Sequence, residues 1–293
     1  MSMTRITAYI PAYNAARFLP GCIESLLAQT LAPVEILVID DGSSDDSVEI
    51  ASRYPEVRVI RHPQNRGLAA ARNTAFRSAQ CDLVASLDAD CIAEPSWLAT
   101  LAEAMHELDL AGAGGSLREG VQDSWADCWR AAHMPQEWGP REIRNPKFLF
   151  GCNNVYRKAA VLEVGGYDET MRTNGEDCDL SRRLREKNWQ LIYNPAARAV
   201  HRRSDTVSSI FDNYWRWWKF GVNAYAGGIS LRSVIGHALF VHLRYTVKEA
   251  LARDFEARKP ALLPLDCALL FYLPYRDFQL WLKSRSAEQN QGK

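Results

Sequence analysis

Short unbroken apolar runs alternate with stretches of helical period through the first part of the chain. Ile6–Ile10 is the first run, and behind it Leu19, Cys22, Ile23, Leu26 and Leu27 recur at the spacing of one helix face. Val34–Ile39 is a second strand, ended by Asp40-Asp41-Gly42-Ser43, a turn into a helix N-cap. Val57–Ile60 is a third strand, Gly67–Ser78 an Ala-rich helix, and Leu83–Leu87 a fourth strand running into Asp88. Such alternation predicts an α/β fold with a parallel, doubly wound sheet, with ligands gathering at the strands' carboxyl ends. Pro11–Asn14, Asp40-Asp41 and Asp88–Asp90 all fall there. From Gly115 to Phe150 the pattern is irregular; beyond it Arg157–Val164 and Asp179–Lys187 read as helices and Leu191–Tyr193 as a strand.

With 293 residues, 47% of them apolar, the chain can form one large domain or two unequal ones. Its formal charge of zero argues against a nucleic-acid partner. Seven cysteines, none paired as C-x-x-C, fit neither a zinc ribbon nor a disulfide framework and point to a reducing compartment. The opening MSMTRITAYIPAYN breaks at Pro11 before a signal-like apolar core develops, and Pro260–Tyr275 is too short and too interrupted to span a bilayer. The expected location is cytoplasmic. Composition shifts near Ser204: residues 205–293 carry a balance of +4 and 15 of the 30 aromatic residues. A boundary is expected there, with 1–204 as one domain of two halves, about 1–110 and about 111–204, and 205–293 as a helical, aromatic-rich module.

Three acidic clusters stand at predicted strand ends: Asp40/Asp41, Asp88/Asp90 and Glu176/Asp177/Asp179. Crowded carboxylates repel, so such a site invites a divalent cation, and Asp88-Ala89-Asp90 lets two carboxylates approach one ion from a tight turn. The plainer alternative is that the two aspartates only end a strand.

The motifs together resemble the family 2 glycosyltransferases. They are IPAYN (10–14) with ESLLAQT (24–30), VIDDGSSDDS (38–47), NRGLAAARN (65–73), SLDAD (86–90), GGYDE (165–169), GEDCDLSRRL (175–184) and His201, in the family's order over about residues 5–204. The resemblance implies a GT-A fold with a mixed sheet, a nucleotide-diphospho sugar as donor, and magnesium or manganese as cofactor. By the same resemblance Pro11, Ala12, Tyr13, Asn14, Asp41, Gly67, Arg72, Asp88, Ala89 and Asp90 bind the nucleotide sugar, with Tyr13 stacking on the base and Asp41 accepting from base or ribose. Asp90, Asp88 and His201 are the implied metal site, and Asp177 the base of an inverting transfer. Asn153, Asn154, Glu176, Arg216 and Trp217 are placed toward the donor sugar or acceptor. Arg72 has the alternative of pairing with a local carboxylate.

Phe211, Tyr214, Trp215, Trp218, Val222 and Tyr225 recur at helical spacing, with Asp212, Arg216 and Lys219 opposite. This helix is either packed inside the fold, as part of a cap on the catalytic domain, or a membrane-surface helix. Asn213-Tyr-Trp-Arg216-Trp217 resembles the Q-x-x-R-W motif of processive family members, with Asn for Gln. The expected acceptor is a glycan or a lipid-linked sugar, in cell-surface polysaccharide or glycolipid assembly at the inner membrane face. Two rivals remain: a sugar nucleotidyltransferase, whose Gly-rich loop after the first strand here reads PAYNAARF, and a non-catalytic sugar-nucleotide-binding module, against which Asp177 stands.

Overall fold

The computed structural model describes residues 4–171, 174–221, 229–245, 250–256 and 259–291. In chain order the elements begin β1 (Ile6–Ala12), α1 (Leu19–Leu27), β2 (Glu35–Asp40), α2 (Ser47–Ala51), β3 (Val57–Arg61) and α3 (Leu68–Ser78). Next come β4 (Leu83–Leu87), β5 (Cys91–Ala93), α4 (Trp97–Ala104), β6 (Leu110–Glu119), α5 (Trp125–His133), β7 (Ile143–Arg144) and β8 (Asn153–Arg157). Then follow α6 (Lys158–Glu163), α7 (Glu176–Glu186), β9 (Gln190–His201), α8 (Val207–Gly221) and α9 (Leu231–Gly236). A π-helical turn (His237–His242) leads into α10 (Leu243–Tyr245), α11 (Leu251–Glu256) and α12 (Leu263–Gln291).

Two compact units result, 1–120 with 136–203 and 121–135 with 204–293. The first is a nine-stranded mixed sheet in the order β3-β2-β1-β4-β8-β6-β9-β5, with β7 on β9. Strands β3 to β4 are parallel, and β8 enters antiparallel between β4 and β6. Alternate residues of the buried strands feed two cores on opposite faces: Ile6, Ala8, Ile10 and Val38 on one, Tyr9, Leu37, Ile39 and Val84 on the other. Burial on both faces is why these strands read as continuous apolar runs.

The pattern between Leu110 and Phe150 hid β6, the sheet's longest contact with β9. Its sequence LAGAGGSLRE lacks the β-branched and aromatic residues that announce a strand. The glycines are there for proximity: a Cβ on Gly112 would lie 2.3 Å from the Tyr156 ring, and one on Gly115 would lie 1.9 Å from the Ala197 carbonyl oxygen.

The second unit is helical. Phe211, Tyr214 and Trp215 of α8 are buried with Trp129 of α5 and Leu265, Leu269 and Leu273 of α12. The aromatic stripe of α8 is thus interior, which corrects the reading of this helix as a membrane-surface element: Trp215 donates to Asp277, Arg216 donates to Asn213, and Lys219 lies over the Trp215 ring. Val222 and Tyr225 lie outside the described residues. Among the described residues no helix is long and apolar enough to cross a membrane.

Candidate active site

Four loops at the strand ends are tied to one another by side chain–backbone hydrogen bonds. Asn14, at φ 50°, accepts from Ser44 N through Oδ1 at 2.9 Å, and its own N–H donates to Ser43 Oγ. Tyr13, 53% exposed, therefore projects from a held loop. An exposed aromatic ring beside a ligand-binding edge offers a stacking face.

Asp41 is buried and already engaged. Oδ2 accepts from Gly67 N at 2.7 Å, and Oδ1 from Arg66 N at 2.9 Å with His62 Nδ1 at 2.7 Å. Three of a carboxylate's roughly four acceptor positions are taken, so Asp41 fixes the 64–67 loop and keeps about one position for a ligand. Gly67, at φ 98°, opens α3 in a conformation that suits glycine.

Arg72 makes the local carboxylate pairing that its sequence context offered as one of two readings. It is buried, donates to Ser86 Oγ at 2.8 Å, to the Gly151 carbonyl and to Asp88 Oδ1 at 3.2 Å, and lies 3.6 Å from Glu176. Its guanidinium holds Asp88 from the buried side. Desolvation opposes its charge, but Asp88 chiefly, then Tyr9, Tyr167 and Glu176, hold its pKa above the ordinary value. Desolvation lifts the Asp88 pKa, Arg72 opposes this, and the like charge of Asp90 adds to it.

Sheet register brings the next group together. In β9, His201 pairs with Cys91 of β5 on one side and with Glu119 of β6 on the other. His201 Nε2 lies 3.0 Å from Asp90 Oδ2, and Nδ1 lies 2.8 Å from Glu119 Oε2. Burial disfavours charge on the ring, but hydrogen bonds to Asp90 and Glu119 outweigh it and push its pKa up to about 9. Glu119 was missed in the sequence because its strand was missed. It matters, since a carboxylate on the far ring nitrogen fixes an imidazole for ligation. A divalent cation fits this donor set: Asp90 Oδ2 and His201 Nε2 already converge, the carboxylate suiting a hard ion such as magnesium or manganese and the imidazole a transition ion. Asp88 is turned to Arg72.

Asp177 stands in the first turn of α7, which opens from Gly175 at φ 91°. Its Oδ2 accepts from Gly151 N at 3.1 Å and Oδ1 from Cys178 N at 2.8 Å, and the side chain is half-buried. Asp179 is engaged by Arg182 and Arg183, each at 2.7 Å, which leaves Asp177 the available carboxylate. Glu176 is buried; desolvation and the charge of Asp177 raise its pKa to about 7, with Arg72 opposing.

Asn153 and Asn154 do not line a ligand site. Asn153 Oδ1 accepts from Trp97 Nε1 at 2.6 Å, and Nδ2 donates to Ser116 and Ala197 carbonyls, clamping the sheet. Asn154 is equally buried and donates to Phe150 O. Asn73 explains the GGYDE motif: it accepts from Tyr167 N and donates to Tyr167 O and Glu169, so two motifs far apart in sequence hold each other. Arg216 and Trp217 belong to the helical unit.

The glycosyl transferase family 2 model matches residues 7–167, and the chain belongs to that family. The pre-mycofactocin glycosyltransferase of Mycobacterium tuberculosis is 32% identical over 206 residues, covering 67% of this chain. This chain spans only 42% of that relative's length. The glucosyl-dolichyl phosphate glucuronosyltransferase of Haloferax volcanii is 25% identical over 242 residues, 72% of this chain and 75% of that protein. Among solved structures, the mannosyltransferase PcManGT from Pyrobaculum calidifontis, in complex with GDP-Man and Mn2+, matches at a TM-score of 0.59 and 16% identity. That match covers 97% of this chain and 80% of the other. S. aureus TarS 1-349 also matches at 0.59, with 14% identity over 96% and 92% of the two chains. The fold is GT-A.

Proposed function

We propose that the chain is an inverting glycosyltransferase that moves a sugar from a nucleotide-diphospho sugar to an acceptor hydroxyl. The observation that carries the reading is that Asp88 feels the charges of both the Asp90–His201 pair, seated by Glu119, and the carboxylate of Asp177, held by Gly151. Asp90 and His201 would hold Mn2+ or Mg2+ with Asp88 alongside, and the bound ion supplies positive charge to the departing diphosphate. Asp177 takes the proton of the acceptor hydroxyl while its oxygen bonds to the anomeric carbon. The bond from that carbon to the diphosphate oxygen breaks on the opposite face, so one displacement inverts the centre. Tyr13 stacks on the base, and the backbone of Pro11–Asn14 and Ala89 lines the nucleotide.

The sheet unit, residues 1–120 with 136–203, is assigned to transfer. The names of the mannosyl and glucuronosyl relatives support a sugar donor and a lipid-linked or glycan acceptor, and thus work in surface-glycan assembly at the cytoplasmic membrane face. The helical unit supports membrane contact through side chains other than those of α8. Leu231, Ile235, Leu239, Phe240 and Leu243 on α9–α10, and Phe271, Tyr275, Phe278 and Leu282 on α12, are exposed.

Asp177→Asn keeps shape and loses the ability to take a proton. Donor binding by calorimetry should persist while transfer falls about 10²–10⁴-fold. Near-normal transfer by this variant, or retained anomeric configuration in the product by NMR, would overturn the assignment.

A further inference from the structure

The helical unit contains two buried groupings of tryptophan, histidine and aspartate, both built on α12. At Asp277, Trp215 Nε1 donates to Oδ1 and His242 Nε2 meets Oδ2, each at 2.8 Å. One carboxylate there has a partner on each oxygen. At Asp266, three helical turns earlier, Trp129 Nε1 donates to Oδ1 at 2.7 Å, and His133 Nε2 lies 3.9 Å from the same atom. The Trp129 and His133 rings stack at 4.5 Å. This second grouping differs by one residue: Asp254 of α11 enters it, with Oδ1 2.8 Å from His133 Nε2.

The extra carboxylate changes the count of partners and of charge. His133, Asp254 and Asp266 side chains are all 0% exposed, and Asp254 Oδ2, Asp266 Oδ2 and His133 Nδ1 have no hydrogen-bond partner outside the cluster. Burying a second carboxylate without a bonded counter-charge costs several kcal/mol. Desolvation holds the imidazole down, to a pKa of about 4, and lifts both carboxyls. Asp254 and Asp266 lie within hydrogen-bonding reach of each other, so one carboxyl shares its proton with the other, while Arg253 and Lys259 act on the cluster only electrostatically. The neighbouring Asp277 grouping, with the same Trp and His partners, lacks this deficit. What the Asp254 cluster lacks is positive charge within bonding reach of its oxygens.

One ligand atom from each of the three residues lies within 4.8 Å of the others. We propose that His133, Asp254 and Asp266 form a divalent-cation site of the helical unit, separate from the Asp90–His201 site, that takes a zinc- or manganese-like ion. One nitrogen and two oxygens are a donor set for borderline ions. Tetrahedral zinc with bonds of about 2.0–2.1 Å sets its ligand atoms roughly 3.3 Å apart, and the observed 2.8 and 3.9 Å straddle that spacing. The ion would tie α5, α11 and α12 together, and the indole of Trp129 would orient Asp266 from behind.

The test uses the full chain carrying Asp90→Ala, which removes the carboxylate of the other site. The protein is stripped with EDTA, loaded with ZnCl2 or MnCl2, freed of excess metal by gel filtration and assayed by mass spectrometry for metal. The expected result is one retained equivalent and a Tm raised by roughly 5–10 °C at a hundredfold excess over Kd. Adding Asp254→Asn should abolish both, and leave the metal-free form melting no lower than its parent, because a neutral amide relieves the carboxylate pair. Failure of the Asp90→Ala chain to retain either metal would overturn the proposal without any variant in the cluster. So would equal retention after Asp254→Asn. Retention does not depend on turnover, so loss of the glycosyltransferase reading would leave this result standing.

Discussion

Glu176 lies beneath Asp177 in the first turn of α7, with Oε1 near Arg72 and Oε2 without a partner. Its pKa of about 7 stands above the ordinary 4.5, so between those values the folded chain binds more protons here than the unfolded chain does. Stability therefore falls as pH rises through that window. Glu176→Gln fixes the neutral form, and urea midpoints taken from pH 4.5 to 7.5 should lose this downward slope relative to the parent. An unchanged slope would mean that Glu176 ionises as an ordinary glutamate. Glu119 supports a second residue-scale prediction. Glu119→Gln removes the carboxylate behind His201 and should weaken Mn2+ affinity by about 10–100-fold, measured by calorimetry, with the fold intact. Affinity equal to the parent's would remove Glu119 from the site.

At the scale of elements, the decisive strand is the one with the poorest strand sequence. β6 carries Glu119 and β9 carries His201, and their register sets the two side chains together. Gly115 allows this closeness, since any Cβ there meets the Ala197 carbonyl, a backbone atom that cannot rotate away. Gly115→Ala should cost about 1–3 kcal/mol in urea unfolding and lower Mn2+ affinity as β9 moves off. A variant of parental stability would show that the strands can separate without cost. The same strand shows what could be read in advance. β1, β2 and β4 were visible because strands buried on both faces are continuous apolar runs, and Asp88, Asp90 and Asp177 could be singled out because they stand in motifs. Glu119 depended on a strand with no β signature. The inward roles of Arg72, Asp41 and Asn153 depended on partners up to 79 residues away, which no local pattern encodes.

For the whole molecule, the question is what the helical unit's surface meets. Leu231, Ile235, Leu239 and Leu243 recur every fourth residue, as do Phe271 and Tyr275, and Phe240 and Phe271 are 73% and 79% exposed. α12 packs against α9 and the π turn, so these side chains belong to one bundle. The charges beside them are of one sign. Residues 213–248 contain five Lys or Arg and no Asp or Glu, and on α12 Asp266 and Asp277 are buried while Lys283 and Arg285 are exposed. Apolar side chains among exposed cations match a bilayer with anionic headgroups, where each nearby Lys or Arg contributes about 1 kcal/mol. Vesicles containing phosphatidylglycerol should therefore carry the chain upward in flotation at low salt and release part of it at high salt. Arg232→Glu with Arg244→Glu should weaken flotation mainly at low salt, whereas Phe240→Ser with Phe271→Ser should weaken it at every salt concentration. Arg216→Glu is no test of this surface, because its guanidinium is bonded to Asn213. Protein that stays wholly at the bottom of the gradient at low salt would rule out the membrane contact, and flotation indifferent to the phenylalanine pair would reduce it to charge alone.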